Sequence, residues 1–128
     1  MQTFDQQYSD LVRKQVLEIK KKPEYKKYGA MAHKLPILIR TAGLTQALAF
    51  VESRGTEIQK QLLLDLKATI EPGDSRTLLI HAQKSELREY MRLTHQVMAA
   101  LLWYKRFAQS ILGVEASDTL LENEDDHA

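Results

Sequence analysis

The chain has 128 residues and a formal net charge of +1, and 44% of its residues are hydrophobic and 27% charged, as is typical of one soluble globular domain. It contains no cysteine, which excludes disulfides and thiolate metal sites and suits a reducing cytoplasm, where we expect the protein to act. With only five glycines and three prolines, the chain has few turns, so long helices are favoured over a strand-rich sandwich.

The first helix is predicted from about residue 4 to residue 21. Thr3 and Gln6 have the spacing of a capping box, in which each side chain bonds the backbone N–H of the other residue. Apolar residues then recur every three or four positions, as on one face of a helix. Pro23 ends this helix and suits the first turn of the next one.

A second helix is predicted after Pro23. Pro36 lies within its pattern and lacks a backbone N–H, so we expect a kink or a break near residues 33–36. Gly43 is the expected end of this helix. Its apolar face is formed by Tyr25, Tyr28, Ala32, Leu35 and Ile39.

The most apolar stretch, LPILIRTAGLTQALAF at residues 35–50, is sixteen residues long, whereas about 20 are needed to span a bilayer. Arg40 near its centre would make insertion still less favourable. The N-terminal sequence also lacks the basic lead and apolar run of a secretory signal. We therefore expect no membrane partner.

A third helix is predicted from Leu44 to a stop at Gly55. Thr56 and Gln59 have the spacing of a second capping box, which opens a fourth helix. That helix ends at residues 71–76, EPGDSR, whose proline and glycine predict a loop.

Residues 77–82, TLLIHA, are too few for periodicity to separate helix from strand, but helix is favoured because the chain offers no partner strand. Ser85 is the expected cap of a long last helix, from about 86 to 112. Its apolar surface is wide enough to need burial on more than one side, so it is either the central helix or also faces another subunit. We predict an all-α fold: a compact bundle of about five to six helices with a long C-terminal helix.

Charge divides the chain into a predicted helical domain, residues 1–112, and an acidic C-terminal tail, residues 113–128. The tail holds six acids and no lysine or arginine, and the other 112 residues have a net charge of +7. Eight basic side chains lie within residues 13–34 alone. A basic body favours a polyanionic partner, although many solvated faces are equally basic.

The sequence shows no arrangement that catalysis or metal binding requires. No two histidines have the i,i+4 spacing of a zinc site, and no glycine-rich phosphate loop is present. Glu86 and Glu89 have arginines beside them, as on an ordinary salt-bridged surface. We therefore predict no enzymatic activity, no cofactor and no metal. The four histidines are His33, His81, His95 and His127.

The basic residues are the stronger functional signal. Lysines bind phosphates without reading sequence, and aromatic side chains stack on bases. Tyr25 and Tyr28 are interleaved with the lysines, so both residue types occur together here. A solvated polar face with the tyrosines in the core explains the same pattern, and both interpretations stay open. The candidate RNA-binding residues are Lys21, Lys22, Lys26, Lys27, Lys34, Arg40, Lys105 and Arg106.

Arg40 itself has two interpretations. In the structural one, it pairs with a carboxylate or bonds the exposed carbonyls at the Gly43 turn. In the functional one, it contacts a phosphate.

Two segments of the chain resemble a known family. They are HKLPILIRTAGLTQALAFVESRG, residues 33–55, and EYMRLTHQVMAALLWYKRFAQSIL, residues 89–112. In order, spacing and combination of residues they are similar to the small subunit of the Cmr-type (type III-B) CRISPR effector complex. The resemblance covers roughly residues 1 to 112, so the acidic tail lies outside it. It is carried by Leu35–Pro36, Ile39–Arg40, Gly43–Leu44, Gln46–Leu48, Phe50, Tyr90, Leu93–Thr94, Leu101–Trp103 and Lys105–Ala108.

The resemblance implies an all-helical, non-catalytic subunit of an antiviral ribonucleoprotein complex. Copies of it stack in a row beside the backbone subunits, while target cleavage and nucleotide cyclisation belong to the backbone and large subunits. The small subunit lends basic surface to the channel that holds guide RNA paired with target RNA. The alternative is a purely structural helical oligomerisation module without direct RNA contact.

Overall fold

Six helices form most of the computed structural model, which describes residues 3–117. No β-strand occurs among these residues. The all-α prediction is therefore confirmed, including the long C-terminal helix and the short helix after residue 77. The helices are α1 Phe4–Lys20, α2 Tyr25–Ala42, α3 Leu44–Arg54, α4 Glu57–Ile70, α5 Leu78–Lys84 and α6 Leu87–Ser110.

Both predicted capping boxes are confirmed. The Thr3 hydroxyl accepts a hydrogen bond from the Gln6 N–H at 3.2 Å, and the Gln6 side-chain oxygen accepts one from the Thr3 N–H at 2.7 Å. Thr56 and Gln59 form the same pair of bonds at the start of α4. Each box gives partners to backbone donors that a helix start leaves unpaired.

A kink or a break is expected near residues 33–36, and the break is wrong, because α2 continues through Pro36 to Ala42. Pro36 is buried, and its neighbours Leu35 and Ile39 are core residues. The missing backbone hydrogen bond destabilises the helix, but α2 packs against α3, α4 and α6, and this burial outweighs the loss.

The predicted end of α2 is confirmed at Gly43, which has a φ angle of +88° and separates α2 from α3. A glycine adopts this angle without the steric cost that other residues incur. The Thr45 N–H, just beyond the turn, donates to the Tyr90 hydroxyl at 3.0 Å. This bond holds the α2–α3 corner against α6.

The start of α6 differs from the prediction. The cap residue is Glu86, whose side chain makes no capping bond. The Ser85 hydroxyl donates instead to the His81 carbonyl at 2.6 Å. The last carbonyls of a helix lack partners, so Ser85 completes the end of α5 rather than the start of α6.

α6 packs against α1, α2 and α4, so its apolar surface is buried on more than one side, as expected. Its wide apolar surface is only partly covered, since Leu87, Met91 and Leu102 remain exposed. In the described part of the chain, no helix combines the length and apolarity that a membrane span requires. The buried residues of α6 are Leu93, Val97, Ala100, Leu101, Tyr104 and Ala108.

Candidate nucleic-acid interface

Six of the eight candidate RNA-binding residues lie in the turn after α1 and along α2. The turn, which contains Pro23, connects the end of α1 at Lys20 to the start of α2 at Tyr25. It displays Lys21 and Lys22 at the surface, next to the first turns of α2. We call the six residues the basic surface: Lys21, Lys22, Lys26, Lys27, Lys34 and Arg40.

Part of the positive charge of the basic surface is paired with neighbouring glutamates. Lys21 lies 3.0 Å from Glu18, and Lys27 lies 3.0 Å from Glu24. Such solvent-exposed pairs are weak and easily exchanged for another anion. Lys26 is exposed and forms no salt bridge with any of residues 3–117. The surface therefore keeps charge available to a polyanion.

Three exposed residues lie on one side of α2, and two of them belong to the basic surface. Lys26, Ile37 and Arg40 fall on that side, since successive residues of a helix are rotated by about 100°. Lys34 is rotated away from them, and its Nζ lies 5.4 Å from the centre of the Phe50 ring. Basic residues are therefore exposed near both ends of α2, whereas Tyr28–His33 between them are buried.

Arg40 is exposed in the last turn of α2. Within residues 3–117 it forms neither a salt bridge nor a hydrogen bond to the carbonyls at the Gly43 turn, so the partners assigned by the structural interpretation are wrong. Its charge near the C-terminus of α2 still interacts favourably with the helix dipole. The exposed side chain of Arg40 is accessible to a phosphate.

The two tyrosines of α2 differ. Tyr28 is 1% exposed, and its hydroxyl donates to Asp65 Oδ2 at 2.6 Å. The core interpretation is therefore correct for Tyr28, which cannot stack on a base. Tyr25 is half-buried, and Lys20 Nζ lies 5.7 Å from the centre of its ring.

Lys105 and Arg106 lie elsewhere, on α6. Arg106 stacks on Trp103, with 4.9 Å between the guanidinium carbon and the ring centre. Trp103 and Arg106 line a cleft of about 520 Å³ that also contains Asp5 and Asp10 of α1. The structure thus places Arg106 beside the N-terminal half of α1, next to acids and apart from the basic surface.

A buried polar network beneath the basic surface was not predicted. Asp65 of α4 accepts hydrogen bonds from Tyr28 and, at 2.9 Å, from Gln61. Gln15 of α1 donates to the Asp65 carbonyl and accepts from Tyr104 of α6. The network therefore joins α1, α2, α4 and α6. Burial raises the pKa of Asp65, and the bonds from Tyr28 and Gln61 only partly oppose this.

The raised pKa of Asp65 predicts how stability depends on pH. The unfolded carboxyl ionises at lower pH than the folded one, so the folded state is disfavoured once pH rises through the folded pKa. Asp65→Asn keeps a partner for Tyr28 but cannot ionise. We expect the variant to gain stability relative to the wild type between about pH 3 and pH 7. Urea unfolding of both proteins across this range measures the difference; a constant difference would contradict the assignment.

A second cluster joins α4, α5 and α6. His81 Nδ1 lies 2.7 Å from Glu71, and its Nε2 lies 3.1 Å from Glu89. Potential metal-ligand atoms of Glu71, Asp74 and His81 lie within 4.8 Å of one another. Asp74, however, is paired with Arg76 at 2.7 Å, which holds the pKa of that carboxyl below its usual range.

The other histidines have separate surroundings. His33 is buried, and its Nε2 lies 2.8 Å from the Val114 carbonyl. His95 is exposed. His127 lies outside the described residues.

Comparisons with known proteins agree on one family. The model of the CRISPR-associated protein family Cas_Cmr5 matches residues 4–111. The CRISPR system Cmr subunit Cmr5 of Thermus thermophilus is 45% identical over 112 residues, which are 88% of this chain and 98% of that protein. A crystal structure of a CRISPR-associated Cmr5 family protein from the same organism has a TM-score of 0.80 and 45% identity, covering 87% of this chain and 98% of the other.

Proposed function

The chain belongs to the Cas_Cmr5 family of CRISPR-associated proteins, and from this we propose that it is the non-catalytic small subunit of a guide-RNA-directed, RNA-targeting Cmr complex. The main support is 45% identity over 98% of a protein that is a Cmr subunit. Its partners are then the backbone and large subunits, further copies of itself, and the guide and target RNAs.

The basic surface supports the contact with RNA. Lysines and arginines position a phosphate backbone without reading bases, and in a guided complex base pairing supplies the sequence specificity. Lys22, Lys26 and Arg40 are exposed and form no salt bridge with residues 3–117. A subunit that lines an RNA channel needs no more than such a surface.

The cluster of Glu71, Asp74 and His81 supports a role without catalysis. Its members are held by one another and by Lys67 and Arg76, so within the described residues this cluster serves to join helices. We assign RNA cleavage to other subunits of the complex.

Copies of the chain would add to one another head to tail. A heterologous contact of this kind does not close and produces a row of subunits. The exposed apolar residues Leu87, Met91 and Leu102 lie within about 60° on one side of α6, which is the geometry of a contact with a neighbouring subunit.

Reconstitution with tagged partner subunits and guide RNA tests the proposal. The chain is expected to copurify with the tagged complex, and ultraviolet light is expected to crosslink its α1–α2 region to guide or target RNA. Failure to copurify would contradict membership of the complex. Copurification without any crosslink would favour the alternative, a structural oligomerisation module, which the uncovered apolar side of α6 also fits.

Arg40→Ala tests the phosphate contact assigned to Arg40. Because the side chain has no protein partner among residues 3–117, we expect the melting temperature to stay within about 2 °C of the wild type. RNA binding by the assembled complex is expected to weaken about three- to tenfold, as for one lost phosphate contact. A loss of thermal stability with unchanged RNA binding would assign Arg40 to the fold.

A further inference from the structure

We infer that the acidic tail, residues 113–128, lies on the basic surface of its own chain and competes there with RNA. This inference rests on the proposed contact between the basic surface and RNA. The family model ends at residue 111, so the tail is a feature of this chain beyond the matched region.

The first residues of the tail are fixed against α2. Val114 is 3% exposed, its carbonyl lies 2.8 Å from His33 Nε2, and its N–H donates to the Ala108 carbonyl. Gly29 makes the close approach possible, because a Cβ there would lie 2.8 Å from a Val114 methyl. On the other side, Lys20 Nζ donates to the Ile111 carbonyl at 2.5 Å.

These contacts place the start of the tail on the basic surface. Gly29 and His33 lie on α2 between Lys26 and Arg40, and His33 shares the helix side of both. The tail therefore starts over the part of α2 that lies between these two basic residues. Its eleven residues from 118 onward reach at most about 40 Å, whereas α2, with 18 residues, is about 27 Å long. Every residue of the basic surface is within this reach.

The charges are complementary. From residue 115 onward the tail carries no lysine or arginine, and its acids are Glu115, Asp118, Glu122, Glu124, Asp125 and Asp126. A segment tethered beside its binding surface has an effective concentration of about a millimolar, so even a weak attraction is populated. RNA has a higher density of negative charge than the tail. RNA that is held in an assembled channel therefore displaces the tail. The tail thus suppresses binding of stray RNA by the free subunit.

Contact between the tail and the surface can be measured without RNA. The chain has no cysteine, so Ala128→Cys provides a single site for a nitroxide spin label. We expect the label to broaden the amide signals of residues 21–40, independently of protein concentration and less at high salt. Broadening confined to other residues, or broadening that grows with concentration, would overturn a contact within one chain.

Competition with RNA is tested with a fluorescein-labelled oligouridylate. Removing residues 118–128 is expected to raise its affinity about three- to tenfold at about 0.05 M salt, and the difference is expected to vanish near 1 M salt. The matched control keeps the full length and carries D118N, E122Q, E124Q, D125N and D126N; it should behave like the deletion. Unchanged affinity despite broadening would overturn the competition. Absence of RNA binding in every form would contradict the proposed RNA contact, while the label still decides whether the tail docks.

Discussion

Reversing four lysines around the α1–α2 turn should weaken RNA binding by about 10²–10³-fold at 0.1 M salt. Each phosphate contact to a single strand contributes roughly fivefold at this salt relative to 1 M, because a protein cation releases a condensed counterion from the nucleic acid. Four lost contacts multiply to the expected range. The variant is K21E, K22E, K26E and K27E in one chain.

The salt dependence of the affinity separates lost contacts from a general charge effect. Removing four contacts should make the slope of log K against log salt shallower by about three. Fluorescence anisotropy with a labelled oligouridylate measures both quantities. The chain ending at Ser117 is the preferred background, because it removes the effect of the acidic tail.

A matched control changes the same net charge elsewhere. It carries R54E, K60E, K84E and R88E, which replace basic residues of α3, α4, α5 and α6 outside the basic surface. We expect less than about a tenth of the loss seen with the first variant, since only the long-range field changes. Equal losses in the two variants would show that binding follows net charge and has no defined surface. Thermal unfolding of both confirms that they remain folded.

Much of the fold follows from local sequence signals. The capping boxes at Thr3 and Thr56 fix two helix starts, and Gly43 fixes a helix end, because each depends on residues within four positions. α2 continues unbroken through Pro36, where a kink or a break is expected, and this shows the limit of such reasoning. The proline rule gives only the local cost, whereas the burial of α2 against its neighbouring helices, mainly α3, α4 and α6, decides the outcome.

The candidate interface was predictable in position but not in chemical detail. The cluster of lysines is visible in the sequence, since six of the candidates lie between residues 21 and 40. Which of them have partners depends on rotamers and on distant segments. The position of Arg106 beside Asp5 and Asp10 is of this kind, because it requires knowing how α1 packs on α6.

The sequence contains a signal for the buried polar network, although this signal is not part of any catalytic motif. Gln15 sits between Val12 and Val16 on the apolar face of α1, and Thr69 follows Leu62 and Leu66 on that of α4. A polar residue at a core position needs a partner, so two such residues predict that their helices meet. The sequence does not show that Asp65 and the two tyrosines complete the network, because these contacts span up to 89 positions.

Replacing Tyr28 with phenylalanine should lower the free energy of unfolding by about 2–3 kcal/mol. The ring and its packing against Tyr104 remain, so no cavity forms. What is lost is the hydroxyl that donates to Asp65 Oδ2 at 2.6 Å. A hydrogen bond to a charged group contributes about 1.5–3 kcal/mol, and a partly buried carboxylate that loses its donor is disfavoured further.

Tyr25→Phe is the matched control for this change. It removes a hydroxyl from the same helix, one turn earlier, where Tyr25 is half-buried and its hydroxyl bonds none of residues 3–117. We expect a change within about 0.5 kcal/mol. Urea unfolding near pH 7 compares the two variants. If Tyr28→Phe were as mild as Tyr25→Phe, the hydroxyl of Tyr28 would contribute nothing to the fold.

A double-mutant cycle with Asp65→Asn identifies charge as the reason for the large effect. In the Asp65→Asn background the partner of Tyr28 is neutral, so the loss of its hydroxyl should cost only about 1 kcal/mol. The coupling energy is then about 1–2 kcal/mol and should fall as pH is lowered and Asp65 becomes protonated. Lys22 of the basic surface also stabilises the ionised form of Asp65 electrostatically. Adding K22E to the same cycle should therefore disfavour that ionised form. A coupling that does not change with pH would place the role of Tyr28 in packing alone.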